Sequence, residues 1–475
     1  MECRSFSQVG FVNKRPLFGV SGVCVVTAVA LLSGQTERNL SGDHASRPDA
    51  QICHPSKVPS GYIAGVREAW VASYSGVFDD EPTGMVVDNS GNVYVTGHTS
   101  IPDYSAYVTI KYDPYGQEEW GAGYNPPNCV SSAAAIAVDH SGNVYVTGTS
   151  ETFALGNPDY VTIKYNNSGQ QQWIARYDGG ANSNDRASAI AVDGSGNIYV
   201  TGTSGVSTDY ATIKYDSSGQ QQWVARYTAQ GNPVAIALDN LGSVYVTGHS
   251  AGDYATVKYD NSGQQQWVAR YSGGNPMAMT VDDVGSVYVT GSNAGDYVTI
   301  KYDTSGQQQW LARYNGSENG DDEAAGLAID NDHNVYVTGT SSGPSGTSSY
   351  ATVKYDSLGQ QQWVSRYQSP ENLGDIATAI AVSRSGNVYV TGMSWASATA
   401  SDYATVKYNS AGQEEWVVRY DGSRGLDDYP RIIAVDRREN VYVTGTSRQD
   451  AILYDWDFTT VKYMPHRIPL PQPRP

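Results

Sequence analysis

Apolar and polar positions alternate along this chain with a two-residue period, in runs of five to eight residues. Nowhere is the three-to-four-residue spacing of an amphipathic helix sustained. The clearest run, NIYVTG from Asn197, recurs eight times with conservative changes, its central tyrosines being Tyr94, Tyr145, Tyr199, Tyr245, Tyr288, Tyr336, Tyr389 and Tyr442. Their mean spacing is about 50 residues, a period of propellers and solenoids. One unit reads SAIAVD from Ser188, a GSG turn, NIYVTG, a variable loop, DYATIKYD from Asp209, an SSG turn, and QQQWVARY from Gln220. This pattern predicts four short strands, A to D, rich in Val, Ile, Tyr and Thr and bounded by Gly, Asp, Asn and Ser.

Two of the links hardly vary: DGSGN from Asp193 and DSSG from Asp216. An Asp that bonds its own turn backbone, followed by a glycine free to take positive φ, suits a tight hairpin. Along NIYVTG, Ile198 and Val200 point one way and Tyr199 and Thr201 the other, so both faces of the sheet need cover. A four-stranded sheet covered on each face by a neighbouring copy is the blade of a β-propeller, whereas a sandwich leaves one face polar.

Strand D carries a tryptophan eight times, at Trp70, Trp120, Trp173, Trp223, Trp267, Trp310, Trp363 and Trp416. Strand C ends in Lys-Tyr eight times, from Lys111 and Tyr112 to Lys462 and Tyr463. The repeats open on a D strand around Trp70 and finish on a C strand from Phe458. The expectation is an all-β, eight-bladed propeller of four-stranded antiparallel blades, closed by the N-terminal strand. The alternative, seven closed blades plus one extra unit, fits the matched counts less well.

The AIAVD, SGNVYVTG, DYATIKYD and SGQQQWVARY segments, spanning Trp70 to Tyr463, resemble the SBBP repeats of bacterial propellers, and SGNVYVTG is similar to NHL-type units. The resemblance implies strand A innermost and a secreted or surface-exposed module, and it carries over no catalytic residue. The family name refers to seven blades, so eight is a departure.

Arg4, Lys14 and Arg15 precede an apolar run from Leu17 to Leu32, with Ala28 and Ala30 as a small-residue cleavage pattern. Residues 1–34 therefore read as a secretory signal peptide, with a retained anchor as the alternative. Residues 35–66 read as a polar linker, 67–463 as the propeller and 464–475 as a proline-rich tail outside the core. After cleavage no membrane span is expected, the address is secreted or cell-surface, and Cys53 and Cys129 remain. The two can pair as a disulfide or stay free, since spacing alone does not set connectivity. A net charge of −18 and the lack of a basic run argue against nucleic acid.

Length variation is confined to the B–C and D–A loops: five residues separate Gly248 from the aromatic that starts strand C, but twelve follow Gly445. Recognition belongs on such a rim. Five blades carry Asp eight residues before the end of strand A: Asp80, Asp185, Asp322, Asp375 and Asp428. Around a channel mouth these carboxylates would offer oxygen ligands to Ca²⁺; the competing reading is that each bonds its own loop backbone. No other cofactor is implied. Trp395 and Trp456 lie outside the repeat, in neighbouring B–C loops, with Tyr454 close by. They would stack on a sugar or a peptide side chain, or else cover the blade edge. The strand C lysines are expected to pair with the Asp that ends strand A or to stay solvated. The leading reading is a non-enzymatic module binding an extracellular protein or glycan; a polysaccharide hydrolase or lyase using loop carboxylates is the alternative.

Overall fold

Each repeat forms the four strands its pattern predicts; in blade 3 these are A (Arg186–Val192), B (Ile198–Ser204), C (Asp209–Tyr215) and D (Gln221–Tyr227). The computed structural model describes residues 62–469 apart from loop residues 77–78, 102–103, 153–155, 181–182, 229, 317–318, 344–345, 423–424 and 450–454. Within it lie eight antiparallel sheets, each ordered A-B-C-D. The A strands of neighbouring blades touch around the ring, blade 8 meeting blade 1, so strand A is innermost. No helix among the described residues is long and apolar enough to cross a membrane.

One aspartate organises each A–B hairpin. Asp193 Oδ1 accepts from the backbone N–H of Ser195 and Asn197, both at 2.9 Å, while Oδ2 accepts from Asn197 Nδ2 at 2.7 Å and the Tyr199 hydroxyl at 3.1 Å. Gly196 takes φ +78°. The same tyrosine-to-aspartate bond joins Tyr94 to Asp88, Tyr145 to Asp139, Tyr245 to Asp239, Tyr288 to Asp282, Tyr336 to Asp330 and Tyr442 to Asp436. The buried hydroxyl is thereby satisfied at no cost to the apolar faces.

Blade 7 breaks the rule and repairs it from outside. Ser383 stands where the aspartate belongs, and Glu439 of blade 8 supplies the carboxylate. It accepts from Ser383 Oγ at 3.1 Å, from Ser385 Oγ, from Asn387 Nδ2 at 3.0 Å and from the Tyr389 hydroxyl at 3.2 Å. Glu439 occupies the turn position that is glycine in most blades and holds φ +62°, a conformation that disfavours a side chain. Replacing Glu439 by Gly relieves that strain but orphans Tyr389, so a net loss of about 2 kcal/mol is expected. Adding Ser383→Asp should recover most of it; additive losses in a denaturation-based double-mutant cycle would refute the exchange.

Both faces of strand B are sealed, as the residue sizes require. Ile198, Tyr199, Val200 and Thr201 are wholly buried. Ile198 and Val200 pack on blade 2, while Tyr199 packs on blade 4. Thr201 Oγ1 meets Thr212 Oγ1 across the ladder at 3.0 Å, and equivalent threonine pairs recur in the other blades, for example Thr96–Thr109 and Thr444–Thr460.

Neighbouring blades are joined on the opposite rim by a plug and socket. The indole N–H of seven of the eight strand D tryptophans donates to the second residue of the next blade's C–D turn, for example Trp70 to Pro114 O at 3.1 Å, Trp120 to Asn167 O at 3.0 Å, Trp223 to Asn261 O at 3.0 Å and Trp363 to Ser410 O at 3.2 Å. The glycine ending that turn lies flat on the indole. At Gly263 (φ +84°) a Cβ would come within 2.7 Å of Trp223, so only glycine fits. The strand C lysines serve this joint. Lys111 Nζ donates to Asn167 Oδ1 at 2.7 Å and Lys462 Nζ to Pro114 O at 2.8 Å. Each ammonium also lies over the strand B tyrosine, 4.9 Å from the ring centre for Lys258. They do not pair with the aspartate ending strand A, because that carboxylate is already filled by its turn and its tyrosine.

Ring closure follows the sequence expectation. The N-terminal strand Tyr62–Tyr74 pairs with strand C of blade 8, Trp456–Pro469, from Tyr74↔Phe458 to Tyr62↔Pro469. The ladder runs past both expected boundaries, 67 and 463, because no hairpin turn stops it. Strand B of blade 8 ends its pairing at Val441↔Tyr463, leaving one edge of the continuation open, which lets Pro465 and Pro469 sit there without losing a ladder bond.

Candidate functional site

The corner aspartates open strand A and turn inward. Asp80, Asp185, Asp322, Asp375 and Asp428 are all buried. Each accepts from a backbone N–H at the start of the D–A loop, two residues past strand D: Gly76 at 2.5 Å, Gly179 at 2.9 Å, Gly316 at 2.6 Å, Ser369 at 2.7 Å and Gly422 at 2.6 Å. Geometry thus gives all five a loop-capping role. Two also join carboxylates from the adjacent blade. Asp159, Asp178 and Asp185 place one oxygen each within 4.8 Å of one another, and so do Asp402, Asp421 and Asp428.

The second cluster is the more buried. Arg419 forks onto Asp402 Oδ2 through Nε at 3.1 Å and Nη2 at 2.7 Å, and holds Ser394 Oγ through Nη1 at 2.6 Å. One guanidinium faces three carboxyls. Burial, then the neighbouring Asp421 and Asp402, pushes the Asp428 carboxyl up to about 7; burial and Asp402 raise Asp421 as well. The oxygen-only donor set suits a hard cation such as Ca²⁺.

Beside this cluster stand the two extra tryptophans. Trp456 stacks on Tyr429, with ring centres 5.0 Å apart and planes at 23°. Trp395 is half-buried and its backbone N–H donates to Gly374 O at 3.2 Å. Asp427 ties the two blades, accepting from Ser401 N at 3.3 Å and lying 3.9 Å from Arg448 Nη1, and Arg448 faces Trp456 across the ladder. Tyr454 and Cys53 lie outside the described residues. Cys129 is buried, with Sγ 3.6 Å from Pro127 O.

Sequence reasoning missed Tyr429 and the cluster partners Asp159, Asp178, Asp402 and Asp421. The signals were present: RYDG follows strand D only at Asp178 and Asp421, and the residue after the corner aspartate is tyrosine in blade 8 alone.

Fold and repeat together define a closed, eight-bladed β-propeller whose variable loops share one rim. Four stretches of the chain, residues 74–104, 172–210, 309–344 and 365–397, match the SBBP beta-propeller repeat model. Similar solved structures include Sqt1 from Chaetomium thermophilum, at 10% identity over 84% of this chain and 99% of that one, TM-score 0.55. The Dos1 propeller gives 9% identity over 84% and 95%, TM-score 0.54. Virginiamycin B lyase from Staphylococcus aureus gives 11% over 85% and 99%, TM-score 0.46. The likeness to Sqt1 and to the Dos1 propeller bears on the fold alone. No curated protein matches the sequence.

Proposed function

We propose that this protein is a secreted or cell-surface recognition module, non-enzymatic, that binds an extracellular protein or glycan through the rim formed by its B–C and D–A loops. The observation that carries this reading is the Trp456–Tyr429 stack and Trp395 on adjacent blades, next to the Asp402–Asp421–Asp428 cluster. Flat aromatic faces beside an acidic oxygen cluster suit a sugar ring or a peptide aromatic, with the carboxylates or a calcium ion held by them taking the polar groups. The most perturbed carboxyl, Asp428, is buried under the Gly422 cap and out of reach of a substrate, which favours binding over hydrolysis.

The test is a glycan and extracellular-protein array probed with the chain lacking residues 1–34, with and without calcium. Trp395→Ala combined with Trp456→Ala is expected to leave the melting temperature within a few degrees and to weaken capture at least tenfold, about 1.4 kcal/mol or more. Unchanged capture discards the site, and release of sugar fragments from arrayed polysaccharide would replace binding with hydrolase or lyase activity.

A further inference from the structure

Seven C–D turns fill seven tryptophan sockets, but blade 8 has no C–D turn, because its C and D strands come from opposite ends of the chain. The eighth socket, that of Trp416 in blade 7, therefore lacks its plug. In place of a turn, the continuing ribbon at Met464 and His466 stands back from blade 7 and leaves a cavity of about 260 Å³, lined also by Trp416, Tyr389, Lys407 and Glu439. Among the described residues Trp416 alone of the eight repeat tryptophans has no acceptor for its indole N–H; the other seven find theirs in a turn carbonyl.

The rest of the socket matches the others except at Glu439, whose carboxylate lies 3.6 Å from Lys407 Nζ and accepts from the Tyr389 hydroxyl, where blade 3 has Asn261 Oδ1 beside Lys214 and Tyr199. Lys407 lies over Tyr389, 5.5 Å from the ring centre, and Trp416 packs on Tyr389 with ring centres 6.0 Å apart. Lys407 Nζ is 2.9 Å from Glu415, and that pairing does not block a turn. In blade 1 the equivalent Lys111 is 2.7 Å from Glu119 while still donating to Asn167 Oδ1.

We propose that the Trp416 socket is a second binding site, on the rim opposite the variable loops, and that it takes an exposed Asx-x-x-Gly β-turn of a partner protein. The seven turns inside this molecule define what fits. Their second residue offers a carbonyl to the indole N–H, asparagine there adds an amide oxygen for the lysine, as Asn167 and Asn261 do, and the closing glycine lies on the ring face. A second copy of this chain is a poor donor, since its own turns are already seated. The inference is independent of the rim reading above, because the two sites use different residues on opposite faces.

The probe is a hairpin peptide of this chain's own sequence, KYDNSGQQQW, titrated into the full chain while the indole N–H resonances are followed by NMR. The expected result is saturable one-site binding, with a shift of the resonance that Trp416→Phe removes. Trp416→Ala is expected to weaken binding at least tenfold. Trp416→Phe, which keeps the ring and the fold but loses the donor, should weaken it several-fold. A peptide with its glycine changed to alanine should not bind, since a Cβ would strike the indole. A permuted chain joining Tyr463 to Glu68 through Asp-Asn-Ser-Gly-Gln supplies the plug in cis and should no longer bind. Absence of saturable binding, equal binding by the alanine peptide or by the permuted chain, or binding only after removal of residues 1–60 would each overturn the proposal.

Discussion

Removal of residues 1–74 is expected to abolish the monomeric, cooperatively melting propeller. The deleted strand is the D strand of blade 8, and without it strand C of that blade loses its ladder from Phe458 to Pro469. Trp70, Ala72 and Tyr74 also leave the core shared by blades 8 and 1, which contains Met85, Val95, Tyr442 and Phe458. At ~2 kcal/mol for each large buried side chain and ~1 kcal/mol for each backbone hydrogen bond, the loss is roughly 10 kcal/mol. That is comparable with the whole stability of an ordinary domain. The new sheet edge would also pair with other chains. Size-exclusion chromatography and calorimetry of the truncated protein should show association and no sharp transition. Supplying the strand as a peptide of residues 62–74 should restore the monomer and its sharp transition. A truncated chain that melts as the full one does would mean the ring closes by other contacts.

The fold was legible because one unit is written eight times, and repetition turns a weak strand pattern into a strong one. Blade count, closure by the first strand, the turn-capping Asp193 and its equivalents, and the two-faced burial of Ile198 to Thr201 all follow from residue type and a two-residue period. What escaped the sequence lies between units. The aspartate on which Tyr389 depends is missing from its own blade, and its replacement, Glu439, sits fifty residues away and is disguised as a turn residue. The lysines were expected to pair with the aspartate ending strand A or to stay solvated, whereas the carbonyl that Lys462 reaches belongs to the next blade. The acidic cluster needs Asp402, Asp421 and Asp428 from two blades, and a count of one repeat position finds only the last of them. The Trp416 socket is an absence, visible only once the other seven have been seen filled.

The carboxyl of Asp428 should make the protein less stable as the pH rises from about 4 to about 7. Burial, aided by Asp421 and Asp402, lifts it from 3.8 to about 7 in the folded state, so across that window the unfolded chain gives up a proton that the folded chain keeps. Unfolding is then favoured by about 1.4 kcal/mol per pH unit, reaching roughly 4 kcal/mol above neutrality, and the stabilisation is complete only below the unfolded value. Asp457, lifted by burial to about 6, acts in the same direction. Asp428→Asn keeps an oxygen for the Gly422 N–H and removes the titration. The variant should match or exceed the wild type at pH 8 and lose far less stability between pH 5 and pH 8, by urea unfolding or melting temperature. Parallel pH curves would place the perturbed group elsewhere. Calcium adds a second arm to the same experiment. A cation held by the cluster makes the ionised form of Asp428 the favoured one, so calcium should flatten the wild-type curve at its alkaline end and leave the Asn variant little changed. If calcium moves neither curve, the cluster holds a proton and no metal, and the rim would then depend on its aromatic faces alone for recognition.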